Sequence, residues 1–173
     1  HYNVGTSGFL CPKRNFGDNC PVCNFANELW NENTEESKRQ AKDMFAKQRF
    51  FSPVLVRGEE DKGVRLWAFG KTVYQSLLNI MLDEDYGDIT DPIEGRDIKV
   101  VCNKPPGRMW AMTEVRPRGK DSMLSSDKAQ ATQWIQGIPN LDDMFTCKTY
   151  DELEKIVNDW LNGDDGTDED DTG

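Results

Sequence analysis

The stretch His1-Tyr-Asn-Val-Gly-Thr-Ser-Gly-Phe-Leu-Cys11-Pro-Lys-Arg-Asn-Phe-Gly-Asp-Asn-Cys20-Pro-Val-Cys23 decides how this end of the chain folds. It is rich in Gly, Pro and Asn and shows no clear apolar period, so it reads as loops held by something other than a core. Cys20-Pro-Val-Cys23 suggests what holds them. Two thiols at this spacing converge on one ion, and a tetrahedral Zn²⁺ takes four N or S donors, so two more are required. Cys11 lies nine positions before Cys20, and His1, the one histidine, lies ten before Cys11. The candidate set is therefore His1, Cys11, Cys20 and Cys23. Four protein ligands leave no open position, so a metal held there is expected to be structural. The alternative is a disulfide or a redox Cys-x-x-Cys. A redox motif normally sits in a βαβ setting, which the sequence lacks, and no secretory signal is visible. Cys102 and Cys147 stand alone and read as plain thiols.

Working outward, residues 24–30 read as a short helix. Residues 34–47 read as a polar helix with a capping-box-like start at Asn33 and Glu36. Residues 49–57 and 64–69 form a predicted hairpin around Gly58–Gly63, with Pro53 demoting the first strand toward an edge. Apolar residues at 73, 74, 77, 78 and 80–82 predict a helix buried on a broad face. Strands are expected at 96–103 and 108–116, joined by Lys104-Pro-Pro-Gly107. The polar stretch 117–136 reads as loop. A last helix is expected over about 150–161, where Thr149 and Glu152 make a capping box.

The chain has 173 residues, of which 36% are apolar and 30% charged, enough for one modest core and appendages. No apolar run approaches the ~18 residues of a membrane span. The first residue is His and not Met, which reads as a processed or truncated start. The net charge of −10 is unevenly spread. Six of the 31 acids lie in the last ten residues, leaving 25 acids against 21 bases elsewhere. Between Lys99 and Lys120 six cations (Lys99, Lys104, Arg108, Arg116, Arg118, Lys120) face the single acid Glu114. A basic body with an acidic tail is the pattern.

Side chains alternate across a strand. In 64–69 this groups Arg65, Trp67 and Phe69 against Val64, Leu66 and Ala68. In 49–57 it groups Arg49, Phe51 and Arg57 against Val54 and Val56. In 108–116 it groups Arg108, Trp110 and Arg116 against Met109, Ala111 and Val115. Arg interleaved with aromatics on an open strand face suits unpaired nucleic acid, because rings stack on bases while guanidinium groups meet phosphates. The plainer reading is a two-sided buried strand with Arg at its ends. Catalytic alternatives are thin. There is no phosphate-binding G-x-x-x-x-G-K-[ST], the single His is taken by the metal hypothesis, and a metallo-hydrolase would need an open coordination position and a base.

Taken together these residues resemble the single-stranded DNA-binding (helix-destabilising) proteins of T-even-type bacteriophages. The resemblance is carried by the His…Cys…Cys-Pro-Val-Cys order and by Phe69-Gly70-Lys71 leading into an apolar helix. It continues in Asp91-Pro-Ile-Glu-Gly95 before a strand, in Ile138-Pro-Asn-Leu-Asp-Asp143, and in a helix followed by acid-rich sequence. It implies an α+β, mainly β chain: an OB-fold-like barrel core with a zinc-binding subdomain and peripheral helices. The family's basic amino-terminal arm and early barrel strands fall outside these residues. The implied organisation is a zinc-binding subdomain at 1–48, a core with the C-terminal helix at 49–163, and an acidic disordered tail at 164–173. The resemblance implies structural Zn²⁺ on His1, Cys11, Cys20 and Cys23. It places Lys47, Arg49, Phe50 and Phe51 on the strand lining a DNA cleft, with Trp67 on its hairpin partner. Arg65, Lys71, Arg108, Trp110, Arg116, Arg118 and Lys120 complete the expected DNA-binding set. The implied function is non-enzymatic, sequence-nonspecific binding of single-stranded DNA in phage replication, recombination and repair, in the cytoplasm of the infected bacterium. Implied partners are the DNA, replication proteins met through the tail, and further copies of the chain on DNA, with no membrane. The rival expectation is a zinc-containing protein-interaction or transcription-accessory module that does not bind nucleic acid.

Overall fold

Cys11 and Cys20 each precede a helix that begins with proline, α1 (Pro12–Asn15) and α2 (Pro21–Asn31). Proline suits the first helical position because its missing N–H would be unpaired there anyway. The computed structural model in which these helices are seen describes residues 1–5, 8–107 and 109–163. They fall in two compact units, one comprising His1–Lys47 with the described residues from Asn140 onward, the other Gln48–Pro139.

In the first unit α2 buries Val22, Ala26 and Leu29, and α3 (Glu35–Met44) buries Ser37, Ala41 and Met44. Both sets follow the helical period, and the fully buried Ala26 and Ala41 let the two helices pack closely. Between them Asn33 takes φ 62, the left-handed conformation Asn tolerates after a helix end. The cap of α3 therefore falls one residue later than expected, on Thr34, whose hydroxyl accepts from the Ser37 amide at 3.1 Å. The last helix, α6 (Tyr150–Leu161), opens on the expected Thr149–Glu152 capping box. It was expected in the body at 49–163 but packs in the first unit. Its Leu153 and Val157 are buried in one cluster with Val4, Phe9, Cys11, Cys20, Cys23 and the buried residues of α2 and α3. The short N-terminal segment cannot close that cluster alone, and the stripe 153, 156, 157 and 160 supplies the missing wall.

In the second unit β1 (Phe50–Val54) pairs antiparallel with β2 (Arg65–Phe69), setting Phe50 opposite Phe69 and Ser52 opposite Trp67. Gly70 alone separates β2 from α4 (Lys71–Met81). β3 (Ile98–Asn103) and β4 (Met112–Pro117) make a second antiparallel pair, with Lys99 opposite Arg116. Phe69, Val73, Ile80 and Val115 form the core, with Phe50, Trp67, Leu77 and Ile98 packed against it. Among the described residues no ladder joins the two pairs, so the strands make two small antiparallel sheets. Helices carry more of the chain than strands, and the architecture is mixed α/β.

Two further expectations change. The stretch 117–136 contains α5 (Lys128–Gln136), capped by Asp127, whose carboxylate accepts from the Ala129 amide at 2.9 Å. The segment before it is tied down. The Arg57 guanidinium donates to the Met123 and Leu124 carbonyls, both at 2.8 Å, and Ser122 N–H donates to the Gly95 carbonyl at 2.8 Å. The face of β2 read as open is also the packed one at its far end. Phe69 is 7% exposed, while Ala68 on the opposite face is exposed. Because α4 leaves β2 immediately after Phe69, it covers the face on which Phe69 and Phe50 lie.

Candidate functional site

Cys20 is the N-cap of α2 and Cys23 lies in its first turn, so one helix start presents two thiols to one point. Cys11, the N-cap of α1, brings a third. The fourth donor is His1, which exchanges backbone hydrogen bonds with Phe9 at 2.9 and 3.0 Å. All four side chains are buried and their ligand atoms lie within 4.8 Å of one another. The Cys11 and Cys23 sulfurs are 3.4 Å apart, and His1 Nε2 is 3.5 Å from the Cys20 sulfur and 3.6 Å from that of Cys23. A tetrahedron with metal–sulfur bonds of about 2.3 Å and metal–nitrogen bonds of about 2.0 Å has S···S edges of about 3.8 Å and S···N edges of about 3.5 Å. The four side chains are therefore in position to bind a metal ion, and all five cysteines are free thiols.

The imidazole is oriented by a second contact. His1 Nδ1 lies 2.7 Å from the Met44 carbonyl oxygen, which only accepts, so Nδ1 donates there and the ring is held with Nε2 facing the thiols. Hydrogen bonding from the Cys23 thiol, aided by His1, pulls the Cys20 thiol down to about 4 against the opposing effect of burial. Cys23 is pushed up, by its hydrogen bond to Cys20 and then by burial. A lowered Cys20 thiol favours the deprotonated form that a metal ligand must take.

The second feature is a run of rings on the β1–β2 hairpin and α4. The Trp67 and Phe69 rings lie 4.6 Å apart, Phe69 and Phe50 6.2 Å, and Phe50 and Tyr74 4.0 Å with only 5° between their planes. The register sets Phe50 and Trp67 on one face and Phe51, opposite Ala68, on the other. Lys47 and Arg49 are exposed just before β1, and Lys71 is exposed in the first turn of α4. Arg65 is held by Glu59 at 2.9 Å and Arg116 by Glu114 at 2.8 Å, so both cations are partly neutralised. Arg118 and Lys120 are exposed in the segment after β4. Trp110 lies outside β4, in the connection from β3, and is 77% exposed. Arg108 and the acidic run 164–173 lie outside the described residues. No helix among the described residues is long and apolar enough to cross a membrane.

Residues 9–157 match the protein family described as gp32 DNA binding protein like. The chain belongs to this family. The match takes in Cys11, Cys20 and Cys23, both strand pairs and most of α6, and it makes this a DNA-binding chain of the gp32-like type. No curated protein matches it. Tyr74 joins this run of rings although sequence reasoning did not single it out. Its place among the apolar positions of a helix reads as core, and only the stacking partner on β1 distinguishes it.

Proposed function

We propose that the chain is a non-enzymatic, sequence-nonspecific binder of single-stranded DNA, stabilised by a structural zinc ion on His1, Cys11, Cys20 and Cys23. The observation that carries the reading is the family match over a chain that strings Trp67, Phe69 and Phe50 together beside exposed cations. Every base offers a π-face, so aromatic platforms bind single strands with little regard to sequence, and lysines and arginines meet the backbone. Lys47, Arg49, Lys71, Arg118 and Lys120 are the cations assigned to phosphates, together with Arg65, Arg116 and Arg108. Phe50, Trp67 and Trp110 are the rings assigned to bases, and Phe51 serves from the reverse face of β1.

Zinc suits the first unit for a chemical reason. Three thiols and one imidazole make a closed, borderline-soft donor set, and the ion supplies cross-linking to a segment with little core of its own. The wider role that follows is protection and presentation of single strands in phage replication, recombination and repair, in the cytoplasm of the infected bacterium. Copies of the chain would sit side by side on DNA. The acidic run at 164–173 would compete with phosphates for the cationic residues and recruit replication proteins.

The test is titration of the intrinsic Trp fluorescence with single- and double-stranded oligonucleotides at two salt concentrations, with and without a zinc chelator. The expected result is preferential quenching by single strands, with log affinity falling against log salt at about −0.7 per phosphate contacted. A signal that ignores oligonucleotides would instead favour a protein-interaction module.

A further inference from the structure

Tyr74 is not among the residues that strand alternation or resemblance assigns to DNA. It stands in the first turn of α4, on a helix held in the core by its neighbours Val73 and Leu77. Its ring lies over that of Phe50, 4.0 Å between centroids and 5° from parallel, which is an offset stack. Phe50 continues to Phe69 and Phe69 to Trp67, so four side chains form one column of ring contacts, near-parallel from Tyr74 to Phe69 and tilted by 45° at Trp67. The column has a closed member and an open one: Phe69 is 7% exposed, Tyr74 39%. Lys71 sits three residues before Tyr74, hence on the same side of the helix, is exposed, and has no ion pair among the described residues.

We propose that Tyr74 is a nucleobase-stacking position, the open end of the Trp67–Phe69–Phe50 column, with Lys71 beside it for the adjoining phosphate. The inference rests on the single-strand reading and deepens it by naming where a base sits. Phe50 already occupies one face of the tyrosine ring, which holds it parallel to a strand-borne ring and so pre-oriented before a base arrives. A flat base laid on the outer face extends the column by one member and covers an aromatic surface that water now meets. The contact uses the ring and not the hydroxyl, so it accepts any base.

The test uses the full metal-loaded chain and three variants of one position: the parent, Tyr74→Phe and Tyr74→Leu. Leucine keeps an apolar cover on Phe50 but offers no π-face. Each is titrated with oligo(dT) and with an equally charged oligomer of abasic sites. Tyr74→Phe is expected to bind oligo(dT) like the parent and Tyr74→Leu to bind on the order of tenfold more weakly. All three should bind the abasic oligomer alike. Irradiation of the parent with an oligomer carrying 5-iododeoxyuridine is expected to cross-link Tyr74, and this reading stands even if the leucine variant fails to fold. Equal oligo(dT) affinity of Tyr74→Leu and the parent would overturn the proposal and leave the single-strand reading intact. So would an equal loss in Tyr74→Phe, a loss that persists on the abasic oligomer, or cross-links confined to other residues. Absence of any oligonucleotide binding by the parent would overturn both. Capture of a protein by the exposed Tyr74–Leu78–Met81 stripe, with no cross-link at Tyr74, counts against it as well.

Discussion

His1 Nδ1 and the Met44 carbonyl oxygen are 2.7 Å apart, and that contact joins the candidate metal centre to the last turn of α3. A helix leaves its final carbonyls without intrahelical partners. Here two of them are met from the N-terminal segment, Met44 by His1 and Asp43 by Asn3 Nδ2 at 3.2 Å. The same ring that faces the thiols through Nε2 therefore closes a helix end through Nδ1.

Metal removal should accordingly loosen α3 from its C-terminal end as well as the loops around the cysteines. With excess chelator the thermal midpoint is expected to fall, and amide exchange is expected to rise first at residues 41–45 and 9–24. His1→Ala should reproduce both effects in zinc-containing buffer, with a substoichiometric zinc content by elemental analysis. Unaltered exchange at 41–45 after complete zinc loss would break the link between ion and helix.

A pH effect is expected at α6, the last helix of this unit. The Thr149 backbone N–H, donating at 2.7 Å, and then its hydroxyl, at 2.8 Å, hold the Glu152 carboxyl below its ordinary range. A carboxyl with a depressed folded-state pKa contributes stability at neutral pH, and that stability is lost as pH falls through the folded value. Glu152→Gln keeps a capping-box acceptor but cannot titrate. The variant should show a flatter dependence of the thermal midpoint on pH below about pH 5. Parallel curves for parent and variant would contradict the assignment.

Arg57 falls on the Arg49 and Phe51 side by alternation but is not in the expected DNA-binding set, and its contacts give it another role. It is a latch, with Nε and Nη2 on the Asp97 carboxylate at 3.0–3.2 Å and Nη1 and Nη2 on the Leu124 and Met123 carbonyls. Arg57→Ala is expected to cost about 1 kcal/mol in urea unfolding, the pair being partly exposed, and to leave oligonucleotide affinity unchanged. Arg57→Lys should not restore the loss, since a point charge cannot serve three acceptors in one plane. A drop in affinity without a drop in stability would contradict the latch and add Arg57 to the binding residues.

The legible parts of this chain were those with local chemistry. Cys20-Pro-Val-Cys23 announced a converging site, the Thr149–Glu152 pair announced a helix start, and Val73, Leu77 and Ile80 announced a helix with a buried side. Asp91-Pro-Ile-Glu-Gly95 proves to be a turn with a steric reason for its glycine, since a Cβ at Gly95 would fall on the Asp91 carbonyl. What local pattern could not deliver was set by tertiary contact. α5 has no buried residue and hence no apolar period to betray it, although Asp127 before it and Gly137 after it are ordinary end signals. Which face of β2 is covered depended on α4 turning back after Gly70, and alternation is blind to that. The placement of α6 was likewise a matter of which cluster lacked a wall.

Trp67 and Trp110 should behave oppositely, although alternation gave them the same role. Trp67 packs with Phe69 against the second-unit core, whereas Trp110 stands 77% exposed beside Met109 at 76% in the β3–β4 connection. Trp67→Ala removes a ring from a packed cluster and is expected to destabilise by about 3 kcal/mol. Its effect on DNA would then be inseparable from damage to the fold. Trp110→Ala removes no packing and should leave the urea midpoint within about 0.5 kcal/mol of the parent. If the exposed indole stacks on a base, the same variant weakens oligo(dT) binding by about 1–3 kcal/mol and abolishes a share of the fluorescence quenching. Full affinity and full quenching in Trp110→Ala would remove the exposed indole of the β3–β4 connection from the interface.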